Sequence, residues 1–178
     1  MLVEDAVPRA LELLLVLLTF PLWGSALIFI ALCMLLAGDR PIFFRQLRPG
    51  LHGMPFTLIK FRTMRPGTEP DANRLTRPGR FLRTTSLDEL PELLNILRGD
   101  MALVGPRPLL MEYLEIYTDA EKHRHDVRPG LTGWAQVHGR NAITLKQKVQ
   151  YDLEYVDKRS LVFDIRILWM TFFHLKGN

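Results

Sequence analysis

The sequence predicts a mainly α-helical fold with one small β-hairpin, preceded by a kinked apolar segment that enters a membrane. Three observations carry this prediction. Residues 13–38 contain no charged side chain, a run long enough to reach through a bilayer core. Leu90, Leu93, Leu94 and Leu97 recur at i, i+3, i+4 and i+7, the apolar stripe of a helix. Two runs rich in Phe, Ile, Leu and Thr, residues 42–47 and 56–63, flank a turn containing Pro49, Gly50 and Gly53, the pattern of a hairpin.

The N-terminal segment allows two topologies. As a straight helix residues 13–38 measure roughly 39 Å at 1.5 Å per residue, against a hydrocarbon core of about 30 Å, so a tilted span fits. Pro21 lacks the N–H that would bond the carbonyl of Leu17, and its ring crowds that carbonyl. Gly24 and Ser25 loosen the next turn. The segment therefore divides into an arm up to Phe20 and a longer arm from Leu22 to Ala37. It either spans with a kink or dips in and returns to the same face, and periodicity does not separate the two. Arg40, Arg45 and Arg48 place the following body on the cytoplasmic side. A cleaved signal peptide fits poorly, because the run is too long and its start is acidic.

After the hairpin, residues 65–78 are rich in Pro, Gly, Asp and Asn and predict a loop lying over a site. Residues 80–84 predict a short helix, and the leucine stripe a longer one ended by Gly99. Short helices are predicted over 109–117 and 120–126, a glycine-punctuated loop over 128–141, and a helix capped by Thr144 over 144–158. Residues 161–175 are apolar nearly all round yet too short to span. They predict a helix lying on the membrane surface or on the core.

The hydrophobic fraction of 48% and mean hydropathy of +0.05 are high beside 24% charged residues. The net charge of +4 arises beyond the apolar run, since ahead of it Glu4, Asp5 and Glu12 face Arg9 alone. A basic body beside an apolar anchor suits phosphate ligands and anionic headgroups. Nucleic acid would suit the charge, but it calls for a basic stripe with exposed aromatics, and the acids at 88, 89 and 152 interrupt one. The single cysteine, Cys33, excludes an internal disulfide and fits a reducing, cytoplasm-facing domain.

The densest chemical signal is Ser86-Leu87-Asp88-Glu89-Leu90-Pro91. Ser86 and Glu89 have the spacing of a capping box; alternatively Asp88 is the cap, with Pro91 in the first turn. Either places Asp88 at the positive end of a helix dipole, which keeps it ionised. An ionised carboxylate there can attack phosphorus or hold Mg²⁺; a bare helix cap does neither. The surrounding bases favour chemistry. Arg83 lies just upstream and Arg107 stands between two prolines, while Lys60, Arg62, Arg128 and Arg140 sit in hairpin or loop positions. Stiffly held guanidinium groups suit bidentate phosphate recognition. His123 and His125 are two apart, which is poor metal geometry on a helix, and read as surface residues. Trp134 and Gln136 could stack and hydrogen-bond a base, or pack a turn. Asp152 could supply a further acid, or belong to a solvated face. The chain has neither a GxGxxG fingerprint nor a P-loop.

Together these residues resemble the monotopic phosphoglycosyl transferases, the bacterial sugar transferase family. The resemblance covers nearly the whole chain through Lys60-Phe-Arg-Thr-Met64, Ser86-Leu-Asp-Glu-Leu-Pro91, Gly99-Asp-Met-Ala-Leu-Val-Gly-Pro-Arg-Pro108, Arg128-Pro-Gly-Leu-Thr-Gly-Trp-Ala-Gln136 and Gly139-Arg140. It implies a re-entrant, kinked membrane helix over residues 1–38 and a cytoplasm-facing catalytic domain over 39–178 with interfacial amphipathic helices. It implies an enzyme of the bacterial inner membrane that opens glycoconjugate assembly. Such an enzyme moves a sugar 1-phosphate from a UDP-sugar to polyprenyl (undecaprenyl) phosphate and releases UMP. The implied route is ping-pong, through an aspartyl-phosphosugar intermediate. Carried onto this chain, Asp88 is the nucleophile, and Glu89 holds Mg²⁺ with Asp88 or positions the incoming phosphate. Lys60, Arg62, Arg83 and Arg107 neutralise phosphate charge, with Arg128 and Arg140 as further phosphate contacts. Gln136 and Asp152 match family positions and are assigned to the nucleotide-sugar.

Two departures stand out. Relatives often carry Ser before the membrane-bending proline, where this chain has Phe20; Thr19 is the available substitute for a hydroxyl that bonds back to the helix. Relatives often carry Asn where this chain has His138. The wording of residues 122–126 and 139–143 is most similar to short enzymes using N-acetylated donors, N,N'-diacetylbacillosamine among them.

Overall fold

A computed structural model describes residues 8–38, 40–139 and 142–176, and in it the uncharged run forms two helices rather than one. These are α1 (Arg9–Leu18) and α2 (Phe20–Leu36), bent by 59°. The break falls at Thr19, two residues ahead of the expected point, so Pro21 sits in the first turn of α2, where a missing N–H has no partner to lose. Thr19 Oγ1 donates to the carbonyls of Leu15 and Val16 at 2.8 and 3.2 Å, the role foreseen for it. Trp23 Nε1 crosses the bend to the Val16 carbonyl at 2.9 Å. Among the described residues no single helix is long and apolar enough to cross a membrane, and this bent pair reaches that length and apolar composition only when its two helices are taken together. Val16, Trp23 and Met34 face inward, while Leu14, Leu18, Leu22, Phe29 and Leu36 are exposed.

Helix α1 is tied to the rest of the protein by charge. Arg9 donates to the carbonyls of Met101 and Ile96, and buried Glu12 accepts from Arg9 and from the Leu103 amide.

The hairpin forms as expected from β1 (Phe43–Pro49) and β2 (Pro55–Phe61), antiparallel, with Phe44 opposite Lys60. The outer edge of β2 is met by a side chain rather than a strand. Asn95, fully buried on α5 (Glu92–Arg98), accepts from the Ile59 amide at 3.2 Å and donates to the Thr57 carbonyl at 2.8 Å. A buried amide that satisfies two strand groups fixes the helix against the strand in one register.

Residues 65–78 are less loop-like than expected. They contain one turn, α3 (Asp71–Arg74), and the start of α4 (Arg77–Thr84). Helix α4 begins three residues early because Thr76 Oγ1 accepts from Gly79 N at 3.0 Å and Pro78 occupies the first turn. Ser86 then adopts a left-handed conformation with φ of 57°, and Leu87–Glu89 form a 3₁₀ turn ahead of α5. Neither the expected Ser86–Glu89 capping box nor the expected Asp88 cap forms, because the α-helix starts only after Pro91.

The loops beyond α5 contain structure that the sequence did not announce. Strands β3 (Ala102–Val104) and β4 (Gly130–Thr132) pair in parallel. A three-residue strand is too short to show alternation. The pairing needs glycine: a Cβ on Gly130 would lie 2.1 Å from the Gly105 amide nitrogen. Met111–Glu115 is 3₁₀ rather than α, and the next helix is only α6 (Asp119–Lys122), followed by a 3₁₀ turn at His123–His125. After the short α7 (Trp134–Val137), α8 (Leu145–Lys158) starts on a Thr144–Gln147 capping box, as expected. Helix α9 (Leu161–Lys176) packs on the core along one side, the second of its two readings, and leaves its other side open. Ile167 and Asp164 are buried, while Val162, Ile165, Trp169 and Phe172 form an exposed apolar face.

Candidate active site

The site assembles where β2, the 3₁₀ turn and the loop after β3 converge. Asn95 docks α5 on β2, which brings Lys60 against the acids around Pro91. Lys60 Nζ lies 2.7 Å from Glu89 Oε1 and 2.9 Å from Glu92 Oε1. From the loop after β3, Arg107 Nη2 reaches the same Glu89 oxygen at 2.5 Å. Arg83 closes the other side, with Nε donating to Thr63 Oγ1 at 2.9 Å. That approach depends on Gly79, where a Cβ would sit 2.1 Å from the Thr63 carbonyl oxygen. Ser86, held left-handed at a cost of about 1 kcal/mol, turns the chain from α4 into the segment bearing Asp88.

The electrostatics distinguish the two adjacent acids. Burial pushes the Asp88 carboxyl above its ordinary value, Glu89 pushes it further, and Lys60 and Arg83 oppose both. This reverses the expectation of a dipole-stabilised carboxylate, because no helix begins at Asp88 and burial outweighs the nearby cations. Burial also acts to raise Glu89, but Arg107 and Lys60 overcome it and hold Glu89 down at about 2. Glu92 goes the other way, raised by burial to about 7 with Glu89 adding to the rise. Arg107 is held above its ordinary value despite burial, by Glu89 first and Glu92 next. The result is one doubly paired carboxylate held in its ionised form beside one more basic carboxylate.

Among the described residues no group of three or more His, Cys, Asp or Glu could hold a metal ion. Mg²⁺ asks for less, taking one or two carboxylates and completing its shell with water and substrate phosphate oxygens. The Asp88–Glu89 pair, set beside Lys60, Arg83 and Arg107, offers two carboxylates of the kind such an ion would need.

Of the residues singled out from sequence, Asp88, Glu89, Lys60, Arg83 and Arg107 come together. Arg62 points elsewhere, donating to the Pro41 carbonyl at 3.1 Å with its guanidinium 5.9 Å from the centre of the Phe44 ring. Arg128 donates to the Gly99 carbonyl at 3.1 Å and lines an apolar cavity of about 160 Å³ between α1 and α9. Gln136 Nε2 is used on the Leu131 carbonyl at 2.9 Å. Trp134 is buried and donates to Glu154 at 3.0 Å, so it packs its turn. Asp152 lies on no solvated face; it is 2% exposed and paired with Arg124. His123 is exposed beside Asp126 as expected, but His125 is buried against Tyr117, contrary to its surface reading. Arg140 lies outside the described residues.

Sequence reasoning missed Glu92, Arg48 and Arg124. Glu92 had a signal, standing four residues after Asp88 and next to Pro91. Arg124 had none, since a base between two histidines reads as surface.

Comparison with known proteins adds the context. The family model described as "Bacterial sugar transferase" matches residues 3–177. The chain is 56% identical over 137 residues to the uncharacterized sugar transferase EpsL of Bacillus subtilis (strain 168), covering 74% of this chain and 68% of that protein. It is 39% identical over 188 residues to the UDP-glucose:undecaprenyl-phosphate glucose-1-phosphate transferase of Escherichia coli (strain K12), covering 96% of this chain but 40% of that protein. A protein of the same name from Caulobacter vibrioides is 39% identical over 183 residues, covering 94% of this chain and 68% of its own length.

Proposed function

The chain belongs to the bacterial sugar transferase family and is a phosphoglycosyl transferase; on that premise we propose that it transfers a sugar 1-phosphate from a UDP-sugar to undecaprenyl phosphate, with Asp88 as nucleophile. The observation that carries the proposal is the contrast between Asp88 and Glu89. Glu89 is neutralised by Lys60 and Arg107, while burial leaves its neighbour the more basic carboxylate. A more basic carboxylate is the better nucleophile.

The proposed reaction has two displacements. An Asp88 oxygen forms a bond to the β-phosphorus of the donor as the β-phosphorus–oxygen bond to UMP breaks, and UMP leaves with that bridging oxygen. The sugar phosphate is then an acyl phosphate on Asp88. A phosphate oxygen of the polyprenyl carrier attacks the same phosphorus, and the Asp88 oxygen leaves with its electron pair. The products are polyprenyl diphosphate-sugar and free enzyme. The covalent link lets a water-soluble donor and a lipid acceptor use one site in turn. Arg107, Lys60 and Arg83 supply positive charge where phosphate charge redistributes. Asp88 and Glu89 are the residues that would hold Mg²⁺, which when bound supplies further charge neutralisation at the diphosphate.

The proposed setting is the cytoplasmic membrane. The bent pair α1–α2 enters and leaves the cytoplasmic leaflet, and the outer face of α9 rests at the interface. Its exposed Val162, Ile165, Trp169 and Phe172 have the apolar and aromatic character such a position requires. The Escherichia coli and Caulobacter vibrioides relatives are named for UDP-glucose, whereas the wording near His123 and Arg140 favours an N-acetylated sugar. A panel of UDP-sugars carrying both kinds, assayed for UMP release with polyprenyl phosphate and Mg²⁺, decides between them. Incubation with donor alone tests the mechanism. A sugar-phosphate adduct on the Asp88 peptide is expected by mass spectrometry, and an unmodified peptide under turnover conditions refutes it.

A further inference from the structure

We propose that the buried pair Arg124–Asp152, with Arg48, forms a clamp that fixes the Pro106-Arg107-Pro108 loop and so holds the Arg107 side chain on Glu89. These are positioning residues; Asp152 in this reading serves the site without touching the nucleotide-sugar.

The loop cannot hold itself. Pro106 and Pro108 carry no N–H, so neither can donate to a ladder. Instead all three successive carbonyls accept from outside the loop. Gly130 N donates to Pro106 O at 3.0 Å, Arg124 Nη2 to Arg107 O at 2.8 Å, and Arg48 Nη1 to Pro108 O at 3.2 Å. Proline fixes its own φ and confines the residue before it to extended conformations. With those torsions restricted, fixing the carbonyl of Arg107 also fixes the direction in which its side chain leaves the backbone. That side chain ends on Glu89.

Arg124 is itself held. It is 1% exposed, and its Nε and Nη2 lie 3.1 and 2.6 Å from Asp152 Oδ2. The Tyr117 ring centre is 5.6 Å from its guanidinium. A buried ion pair is a poor source of stability, and apolar residues of similar volume often replace one without loss. What apolar residues cannot supply is the donor to the Arg107 carbonyl. The pair is therefore better explained by the loop it restrains than by the fold it sits in.

The inference rests on the reading above in which Arg107 meets donor phosphate, and a double-mutant cycle separates the two. Full-length protein is prepared as wild type, as the apolar exchange Arg124→Met with Asp152→Leu, as Arg107→Gln, and as the triple variant. Thermal midpoint, donor KM and kcat for UMP release are measured for each. The apolar exchange is expected to unfold within a few degrees of wild type and to lose about tenfold in kcat/KM, mainly through donor KM. In the Arg107→Gln background it is expected to cost less than about twofold, since groups acting through one residue are not additive. Arg124→Lys, which keeps the charge and loses the planar fork, is expected to raise donor KM in the same direction and covers an exchange that fails to fold. Independent, multiplying losses from the exchange and Arg107→Gln overturn the clamp alone. Wild-type donor KM in both the exchange and Arg124→Lys does the same. An Arg107→Gln variant with unchanged kcat/KM overturns the donor-phosphate role of Arg107, and the clamp's purpose with it.

Discussion

Arg107 Nη2 and Glu89 Oε1 lie 2.5 Å apart, a contact between residues 18 apart in sequence and carried on opposite sides of α5 and β3. In the proposed mechanism it removes Glu89 from competition with Asp88. A free Glu89 carboxylate would be a second nucleophile and an unscreened like charge; paired to Arg107 and Lys60 it is neither.

The first consequence concerns Asp88→Asn. Amide nitrogen and oxygen cannot form the acyl phosphate, so UMP release is expected to fall by at least about 10³-fold. The thermal midpoint should hold or rise, because the side chain's pKa is already raised by burial and the neutral isostere avoids that cost. Progress curves and thermal unfolding on the same preparation check both; turnover equal to wild type ends the nucleophile assignment.

The second concerns pH. In the proposed mechanism Asp88 must be ionised to attack, and burial followed by Glu89 lifts its carboxyl above the usual range. Activity should therefore fade, on acidification, at a pH higher than an ordinary aspartate dictates. Lys60 works to lower that value, so Lys60→Met should move the acid limb of the kcat profile upward. A limb that stays put or moves down contradicts the electrostatic account.

Glu92 provides the third. Its folded value is raised from 4.5 to about 7, so its contribution to stability is fully present below pH 4.5 and is lost as pH rises through about 7. Glu92→Gln should match wild type at pH 5 and exceed it at pH 8 by about 1–3 kcal/mol. Denaturant unfolding at the two pH values measures the difference. Glu89 has the opposite sign, with stability present above pH 4.5 and lost as pH falls through about 2. A Glu92→Gln advantage that shrinks at high pH rules out the raised carboxyl.

The fourth concerns the bend. Thr19 Oγ1 shares the Leu15 carbonyl with its own amide, and Thr19 Oγ1 and Trp23 Nε1 both bind the Val16 carbonyl at the end of α1, side-chain bonds of the kind that bend a helix. In a Cys33→Ala background, single cysteines at Pro8 and Arg40 should both label from the cytoplasmic face. Thr19→Val with Trp23→Phe should weaken the bend and lower the labelling of one end. Labelling of the two ends from opposite faces, with the bend intact, shows a span instead of a re-entrant pair.

Much of this was legible because it is local. The uncharged run, the hairpin turn at Gly50 and Gly53, the leucine stripe of α5 and the Thr144 cap each declare themselves within a few residues. So does the Asp88–Glu89 pair beside Pro91. The strands β3 and β4 were not legible, since three residues cannot show a period and their pairing spans 28 residues of chain from Ala102 to Gly130. Arg124 and Asp152, also 28 apart, gave no sign in the sequence that they pair.

The sequence by itself determined which residue types are available to meet phosphate in the proposed reaction and that an apolar segment bends near Pro21. It also determined where most helices lie, because those properties depend on side-chain chemistry and short-range periodicity. Only the tertiary structure decided which bases reach the acids and which acid stays basic. Lys60 and Arg107 arrive while Arg62 and Arg128 do not, and burial raises Asp88 where a helix dipole was expected to lower it. Charge neutralisation and desolvation depend on distances between segments far apart in the chain, and no local pattern encodes those distances.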